Sequence, residues 1–417
     1  MKKNHKLILL SCLGSVLEYY DFIIYGMMVI YLGEVFFKDA SLEVAYLKTF
    51  SILAIGYLVR PMGGYLFGVF SDLYGRKKTF LFVMFIMAFA TFMIGILPTY
   101  EQAGILAPIL LTVARILQGL SFGAEMPTVT TIIKENTEES SSGKYFGFIM
   151  SSTCIGTLVA SMMVTFISRF QDAEIIAGIW RIPFLFGGVL AFLVLMMRSR
   201  ISETEEFLSH SKALHKSSLS LTLDLFKNHW QAMILGMAGT AFFSYLIIFS
   251  LYLPIYLNQY FNFSKQDIFS TMTFSIFVSI LFSPIFGHWF NYFNRSRVLK
   301  IITVLFIVFL FITLPYLKSG SLTSLFVFLF GYQFVISAYA TNNLAILSKL
   351  FPLKLRVTGI GLCYNLAFSL ASLTPLILTP FIETHNYDSI VLIFFTIVVI
   401  GLLLIHKKFQ PPTLTLV

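Results

Sequence analysis

Arg60 to Leu97 reads RPMGGYLFGVFSDLYGRKKTFLFVMFIMAFATFMIGIL. The stretch closes one apolar run, turns through a short charged segment holding Asp72, Arg76, Lys77 and Lys78, and opens a second apolar run over 79–97. Runs of about twenty apolar residues are what a helix needs to cross roughly 30 Å of hydrocarbon. Two such runs joined by a tight charged turn therefore predict a helical hairpin that spans a membrane twice.

The same alternation fills the chain. Apolar runs fall near 7–32, 47–70, 79–97, 105–130, 145–167, 179–197, 229–257, 268–290, 298–316, 323–347, 357–382 and 389–405. Of the 417 residues 57% are hydrophobic and only 12% charged, with a mean hydropathy of +0.84; a soluble domain carries about a quarter charged residues. The fold class expected is an all-α polytopic membrane protein, twelve transmembrane helices in two six-helix halves. The longest polar stretch, with Arg198, Arg200, Glu203, Glu205, Glu206, Lys212 and Lys216, divides the runs six and six. It places an N-terminal six-helix bundle at 1–197, a cytoplasmic linker at 198–228 and a C-terminal six-helix bundle at 229–417.

An echo between the halves supports that division, because internal repeats fix architecture. Gly68-x3-Asp72-x2-Gly75-Arg76-Lys77-Lys78 follows the second run, and Gly287-x3-Asn291-x2-Asn294-Arg295-x-Arg297 follows the eighth, with matching offsets.

The net charge of +9 points to loops rather than nucleic acid, since basic residues gather on the cytoplasmic side of membrane proteins. With the runs above, 21 of the 29 Lys and Arg lie on the side of the N-terminus, 6 on the other and 2 within the membrane. Both termini are therefore expected to be cytoplasmic. Met1-Lys2-Lys3 followed by Leu7 to Cys12 imitates a secretory leader, but the apolar run continues to Tyr31 with no small-residue cleavage site. Cys12, Cys154 and Cys363 lie inside apolar runs without metal-type spacing, so neither a disulfide framework nor a metal site is expected.

Charged groups deep in a bilayer cost at least about 2.5–3.5 kcal/mol each on insertion scales, so those present face a cavity and act there. Glu18 and Asp21 stand three residues apart on one face of the first helix. Arg60 lies in the second run and Arg115 in the fourth, with Glu125 further along. At about 1.5 Å of rise per residue, Asp21 sits roughly 21 Å and Arg115 roughly 22 Å from the cytoplasmic ends of their helices, and Glu125 about 7 Å from its own. Asp21 or Glu18 and Arg115 are thus expected to share a central cavity. There a carboxylate exchanges a proton while Arg115 grips a substrate carboxylate through two parallel hydrogen bonds. The alternative is that these groups only pair to hold helices one and four together. Arg60 precedes Pro61, which frees a backbone carbonyl within a helix; Arg60 is expected to satisfy it and to be structural. Gly64-x3-Gly68 and Gly119-x3-Gly123 are expected to let helix backbones touch.

Several motifs carry a family likeness. Arg60-Pro61-x-Gly63-Gly64-x2-Phe67-Gly68-x3-Asp72-x2-Gly75-Arg76-Lys77-Lys78 resembles the loop between spans two and three of the major facilitator superfamily. Leu17-Glu18-Tyr19-Tyr20-Asp21-Phe22 with Tyr25-Gly26, Arg115-x2-Gln118-Gly119-x3-Gly123-Ala124-Glu125, Trp180-Arg181-x-Pro183-Phe184 and Phe351-Pro352-x3-Arg356-x2-Gly359 are similar to its metabolite:proton symporter branch, which includes proline/betaine, citrate, 2-oxoglutarate and shikimate permeases. The family commonly has Trp where Tyr19 or Tyr20 stands, and Gly where Ala124 stands.

The resemblance implies a proton-coupled importer of a small organic metabolite, a zwitterion such as proline or betaine or a carboxylate. Such a carrier works by alternating access, driven by the proton gradient with no cofactor. The implied partners are a small-molecule substrate, protons and the lipid bilayer, with the chain a monomer in the bacterial inner membrane. Asp21, Glu18 and Glu125 are the proton-coupling candidates. Arg115, Gln118, Tyr25, Tyr245, Gln333, Asn342, Tyr364 and Asn365 are the substrate-binding candidates, those of the second half all neutral. Gly68, Asp72, Gly75, Arg76, Lys77 and Arg60 are the gating set, Asp72 acting as a latch in the outward-facing state. The competing readings are an exporter of a drug, metabolite or siderophore on the same scaffold, and an importer of a citrate-type siderophore. An enzyme is not expected: there is no His-Glu-x2-His pair, nucleophile elbow or phosphate-cradling loop.

Overall fold

The computed structural model describes residues 2–38, 40–74, 76–123, 125–137, 139–199, 223, 225–352, 355–382, 384 and 386–408. Among them there is no strand. The longer helices are α1 (Lys2–Phe36), α2 (Leu42–Leu58), α3 (Arg60–Tyr74), α4 (Arg76–Ile96), α5 (Leu106–Phe122), α6 (Glu125–Asn136), α7 (Glu139–Ile167) and α8 (Ile182–Ser199). After the linker follow α9 (Trp230–Gln259), α10 (Lys265–Trp289), α11 (Arg295–Leu317), α12 (Leu322–Leu347), α13 (Arg356–Ala371) and α14 (Tyr387–Lys408). Among the described residues ten helical stretches are long and apolar enough to cross a membrane, and the shorter apolar helices 81–96 and 106–122 complete the twelve expected spans.

Two spans of the first half are broken, and proline sets the breaks. The second span divides at Val59 between α2 and α3, which puts Pro61 in the first turn of α3, where a missing N–H costs nothing. The fourth divides between α5 and α6, with Pro127 in the first turn of α6. Each proline still leaves the carbonyl four residues earlier without its helical donor: Tyr57 for Pro61 and Gly123 for Pro127. Both carbonyls are taken by α13. Ser369 Oγ donates to the Tyr57 carbonyl at 2.8 Å and Asn365 Nδ2 to the Gly123 carbonyl at 2.8 Å. The expectation that Arg60 would satisfy the Pro61-freed carbonyl is thus corrected: a hydroxyl from the other half reaches it.

The second half repeats this device. Pro284 inside α10 frees the Ile280 carbonyl, and Ser151 Oγ of α7 donates to it at 2.8 Å. The helix pairings repeat as well. In the first half α1 packs on α7, α4 on α8, and α5 on α2 and α4; in the second α9 packs on α13, α11 on α14, and α12 on α10 and α11. Between the halves α7 packs on α10, and α13 on α2, α3 and α6. These are the contacts of two six-helix units related by a repeat.

Burial sorts the helices from centre to lipid. The span-length window of α1 is 94% buried and that of α14 only 28%. The exposed residues on the outer helices are apolar, Phe311, Ile397 and Leu404 among them, as a surface facing acyl chains requires. Where backbones touch, glycine is obligatory: a Cβ on Gly119 would enter the Gly56 carbonyl, one on Gly63 the Leu120 carbonyl, and one on Gly123 would stand 2.5 Å from the Arg60 carbonyl. The Gly119-x3-Gly123 pair therefore packs the fourth span against the second, as its spacing implied.

Candidate functional site

α1 carries Asp21 into the centre of the first half, where its side chain is buried. Thr91 of α4 donates its hydroxyl to Asp21 Oδ2 at 2.6 Å. Gln118 of α5 donates from Nε2 to Thr91 Oγ1 at 2.7 Å, and Arg115, one turn earlier on α5, donates from Nη1 to Gln118 Oε1 at 2.9 Å. Asp21 and Arg115 therefore belong to one hydrogen-bonded line across three helices. Among the described residues they do not form an ion pair within 4.0 Å. The line leaves Asp21 Oδ1 and Arg115 Nε buried and without a hydrogen-bond partner among the described residues.

Aromatic faces hold the two arginines. The Arg115 guanidinium carbon lies 4.1 Å from the centroid of Tyr25, whose hydroxyl donates to the Thr49 carbonyl at 3.2 Å. Arg60 is ringed by Tyr57 at 4.2 Å, Phe22 and Phe122 at 4.4 Å each, and Phe368 of α13 at 5.8 Å. A desolvated cation over a ring gains about 2 kcal/mol, while burying an ion costs several. Rings on that scale offset the desolvation but offer no acceptor to the N–H edges, and Arg60 Nε is buried without a partner among the described residues.

One cavity joins these groups. Asp21, Arg60, Arg115 and Gln118 line it with Phe22, Gly56, Met87, Gly119 and Phe122, and it has room for about one water molecule. Beside it Glu18 is buried one turn below Asp21 and acts electrostatically on Arg60. The Tyr19 hydroxyl meets that of Tyr364, 2.7 Å across the boundary between the halves.

The small volume follows from closure at both ends. On the side of the N-terminus Gly143 and Gly287 abut backbone to backbone, and Asn365 reaches Gly123. At the opposite end Lys265 pairs with Asp172 at 2.7 Å and lies 4.8 Å from the Tyr31 ring, while Thr165 donates to the Phe269 carbonyl at 2.9 Å. The structure is occluded.

The remaining candidates are dispersed. Tyr364 and Asn365 sit at the half boundary, where Asn365 caps Gly123. Gln333 accepts from Ser279 at 2.8 Å between α10 and α12. Asn342 donates to the Arg295 carbonyl at 2.7 Å, and Tyr245 is half-buried against Phe394. None of these five lines the cavity. Gly75 lies outside the described residues, as do the surroundings of Gly68 and the side chains of Asp72, Arg76, Lys77 and Glu125. The motif arginine Arg181 caps α4, donating to the Gly95 and Leu97 carbonyls at 3.1 and 2.5 Å. Sequence reasoning missed Thr91, although it is the one polar side chain at mid-depth in the run 79–97.

A family model of the major facilitator superfamily matches residues 11–373 and 248–415. The chain belongs to the major facilitator superfamily. Its curated relatives include the alpha-ketoglutarate permease of Escherichia coli K12, 32% identical over 85% of this chain and 82% of that one. The citrate-proton symporter of Klebsiella pneumoniae is 29% identical over 89% and 84%. A glycine betaine/proline/ectoine/pipecolic acid transporter of Dickeya dadantii is 27% identical over 95% and 82%. Among solved structures a D-xylose-proton symporter superposes with a TM-score of 0.76 at 19% identity, covering 97% of each chain, which shows the twelve-helix fold. The major facilitator chain is thus a multi-pass membrane transporter and not an enzyme.

Proposed function

We propose that this chain imports a small organic metabolite bearing a carboxylate, coupled to protons and working by alternating access. The bilayer is the bacterial inner membrane, with both termini cytoplasmic, and the unit is a monomer of two bundles, 1–197 and 229–417, that needs no cofactor beyond the proton gradient. The observation that carries the reading is the line Asp21–Thr91–Gln118–Arg115 on one occluded cavity. A carboxylate that exchanges a proton is wired through two neutral side chains to a guanidinium shaped for carboxylate. A substrate anion arriving at Arg115 changes the field and the hydrogen bonding at Asp21, so proton and substrate occupancy influence each other. Relatives named for citrate-proton symport and alpha-ketoglutarate permeation agree with it.

Membrane vesicles of known orientation test the direction. With the proton gradient pointing inward, radiolabelled substrate is expected to accumulate inside; accumulation only against that gradient's direction would make the chain an exporter and reject the reading.

A further inference from the structure

Arg60 and Arg115 line the same cavity, and among the described residues they donate a single hydrogen bond between them, from Arg115 to Gln118. Each guanidinium carries five N–H donors in a planar fork. The rings of Phe22, Tyr57, Phe122 and Tyr25 lie 4.1–4.4 Å from the guanidinium carbons, and Arg60 Nε and Arg115 Nε stay buried without a hydrogen-bond partner among the described residues. Two like charges sharing one water-poor space repel each other, and an anion between them relieves that repulsion.

The charges around the cavity balance. Arg60 and Arg115 face Asp21 and Glu18, and the other titratable groups packed on them are the phenols of Tyr19, Tyr25 and Tyr57 from the first half and Tyr364 from α13, which are neutral at physiological pH. Empty, with both carboxylates ionised, the site is neutral. A bare dianion would leave it two charges negative in a low-dielectric interior. Protonating Asp21 and Glu18 as the dianion arrives restores neutrality.

Resting on the importer reading above, we infer that the substrate is a dicarboxylate held between Arg60 and Arg115, and that two protons travel with it. One carboxylate takes the fork of each arginine, and the two protons bind at Asp21 and Glu18 and leave with the dianion on the other side. The cycle is then electroneutral. A zwitterion would use one arginine and leave Arg60 without its anion. Entry requires the halves to part, since Phe368 of α13 closes over Arg60 and its ring stacks on Tyr57 at 6.1 Å.

The test uses the purified full chain with four probes: 2-oxoglutarate, succinate, pyruvate and glycine betaine. Equilibrium binding is expected for the two dicarboxylates, weakened tenfold or more by Arg60→Gln and by Arg115→Gln, with Arg60→Lys in between because it keeps the charge and loses the fork. In proteoliposomes, dicarboxylate accumulation is expected to follow the pH gradient and to be unchanged when valinomycin clamps the potential at zero or at inside-negative values. Tight binding of pyruvate or betaine that Arg60→Gln leaves unaltered would overturn the dicarboxylate inference. So would accumulation that rises with an inside-negative potential. Proton-driven uptake of betaine would sink this inference and spare the importer reading, whereas dicarboxylate binding without any proton-driven accumulation would sink the reading itself.

Discussion

Asn365 of α13 donates its amide to the carbonyl of Gly123 at 2.8 Å, across the boundary between the two halves, and one turn further along Ser369 does the same for Tyr57. Both acceptors exist because prolines, at 127 and 61, cannot donate to them. Residues that break two spans of the first half thereby create the sockets into which a helix of the second half plugs. Such a contact is made only while the halves touch, so it biases the equilibrium between closed and open states.

Removing the plugs therefore favours opening. An unsatisfied buried carbonyl costs about 1–3 kcal/mol in water-soluble proteins, but membrane hydrogen bonds average only about 0.6 kcal/mol. Asn365→Ala and Ser369→Ala are each expected to shift the closed population by roughly three- to tenfold. Spin-label distances between the N-terminus-side ends of α7 and α10 would report it, and unchanged distributions in both variants would remove the latch role. By the repeat, Ser151→Ala acts in the same sense at Ile280.

Thr91→Val keeps the volume and deletes the hydroxyl that joins Asp21 to Gln118. Accumulation driven by the pH gradient is expected to fall by about tenfold or more, in the range that positioned proton transfer contributes. Thr91→Ser should restore it. Uptake kinetics in proteoliposomes check this, and equal rates for Val and Thr would show that the line carries no coupling.

Gly119→Ala drives a methyl into the Gly56 carbonyl, whereas a methyl on Gly401 would meet nothing within 4 Å. The first is expected to destabilise by about 1–3 kcal/mol, as overpacking does, and to slow turnover. Gly401→Ala should be neutral or slightly stabilising, since alanine prefers helix. Thermal unfolding of the two detergent-solubilised variants separates contact from composition.

The outer closure should be the softer of the two. Lys265 and Asp172 are 20% and 54% exposed, and exposed pairs contribute about 0–1 kcal/mol. Asp172→Asn is expected to change the outward-open population by no more than about fivefold, less at high salt. A larger shift that persists in molar salt would contradict this assignment.

The fold is legible in the chain because hydrophobic length is read directly from it: the spans expected from the apolar runs are helical over most of their described residues, and the Gly119 spacing announces a backbone contact. The buried charges are legible too, since Asp21 and Arg115 at matching depths do line one cavity. What the sequence hides is partnership. Asn365 reads as a substrate group at mid-depth, but its amide meets a carbonyl more than two hundred residues away, freed by a proline on another helix. Thr91 lies in plain view in an apolar run, yet nothing local says that its hydroxyl, 3.0 Å from the Met87 carbonyl of its own helix, also meets Asp21 at 2.6 Å. Arg60 reads through its neighbour Pro61, whereas its surroundings are set by Phe22, Phe122 and Phe368 from three other helices.

The most direct test of the account is Asp21→Asn in proteoliposomes, comparing substrate exchange at equal pH with accumulation under an imposed pH gradient. The account predicts that exchange persists while gradient-driven accumulation is lost. Accumulation at the wild-type level in that variant would contradict the coupling assigned to Asp21.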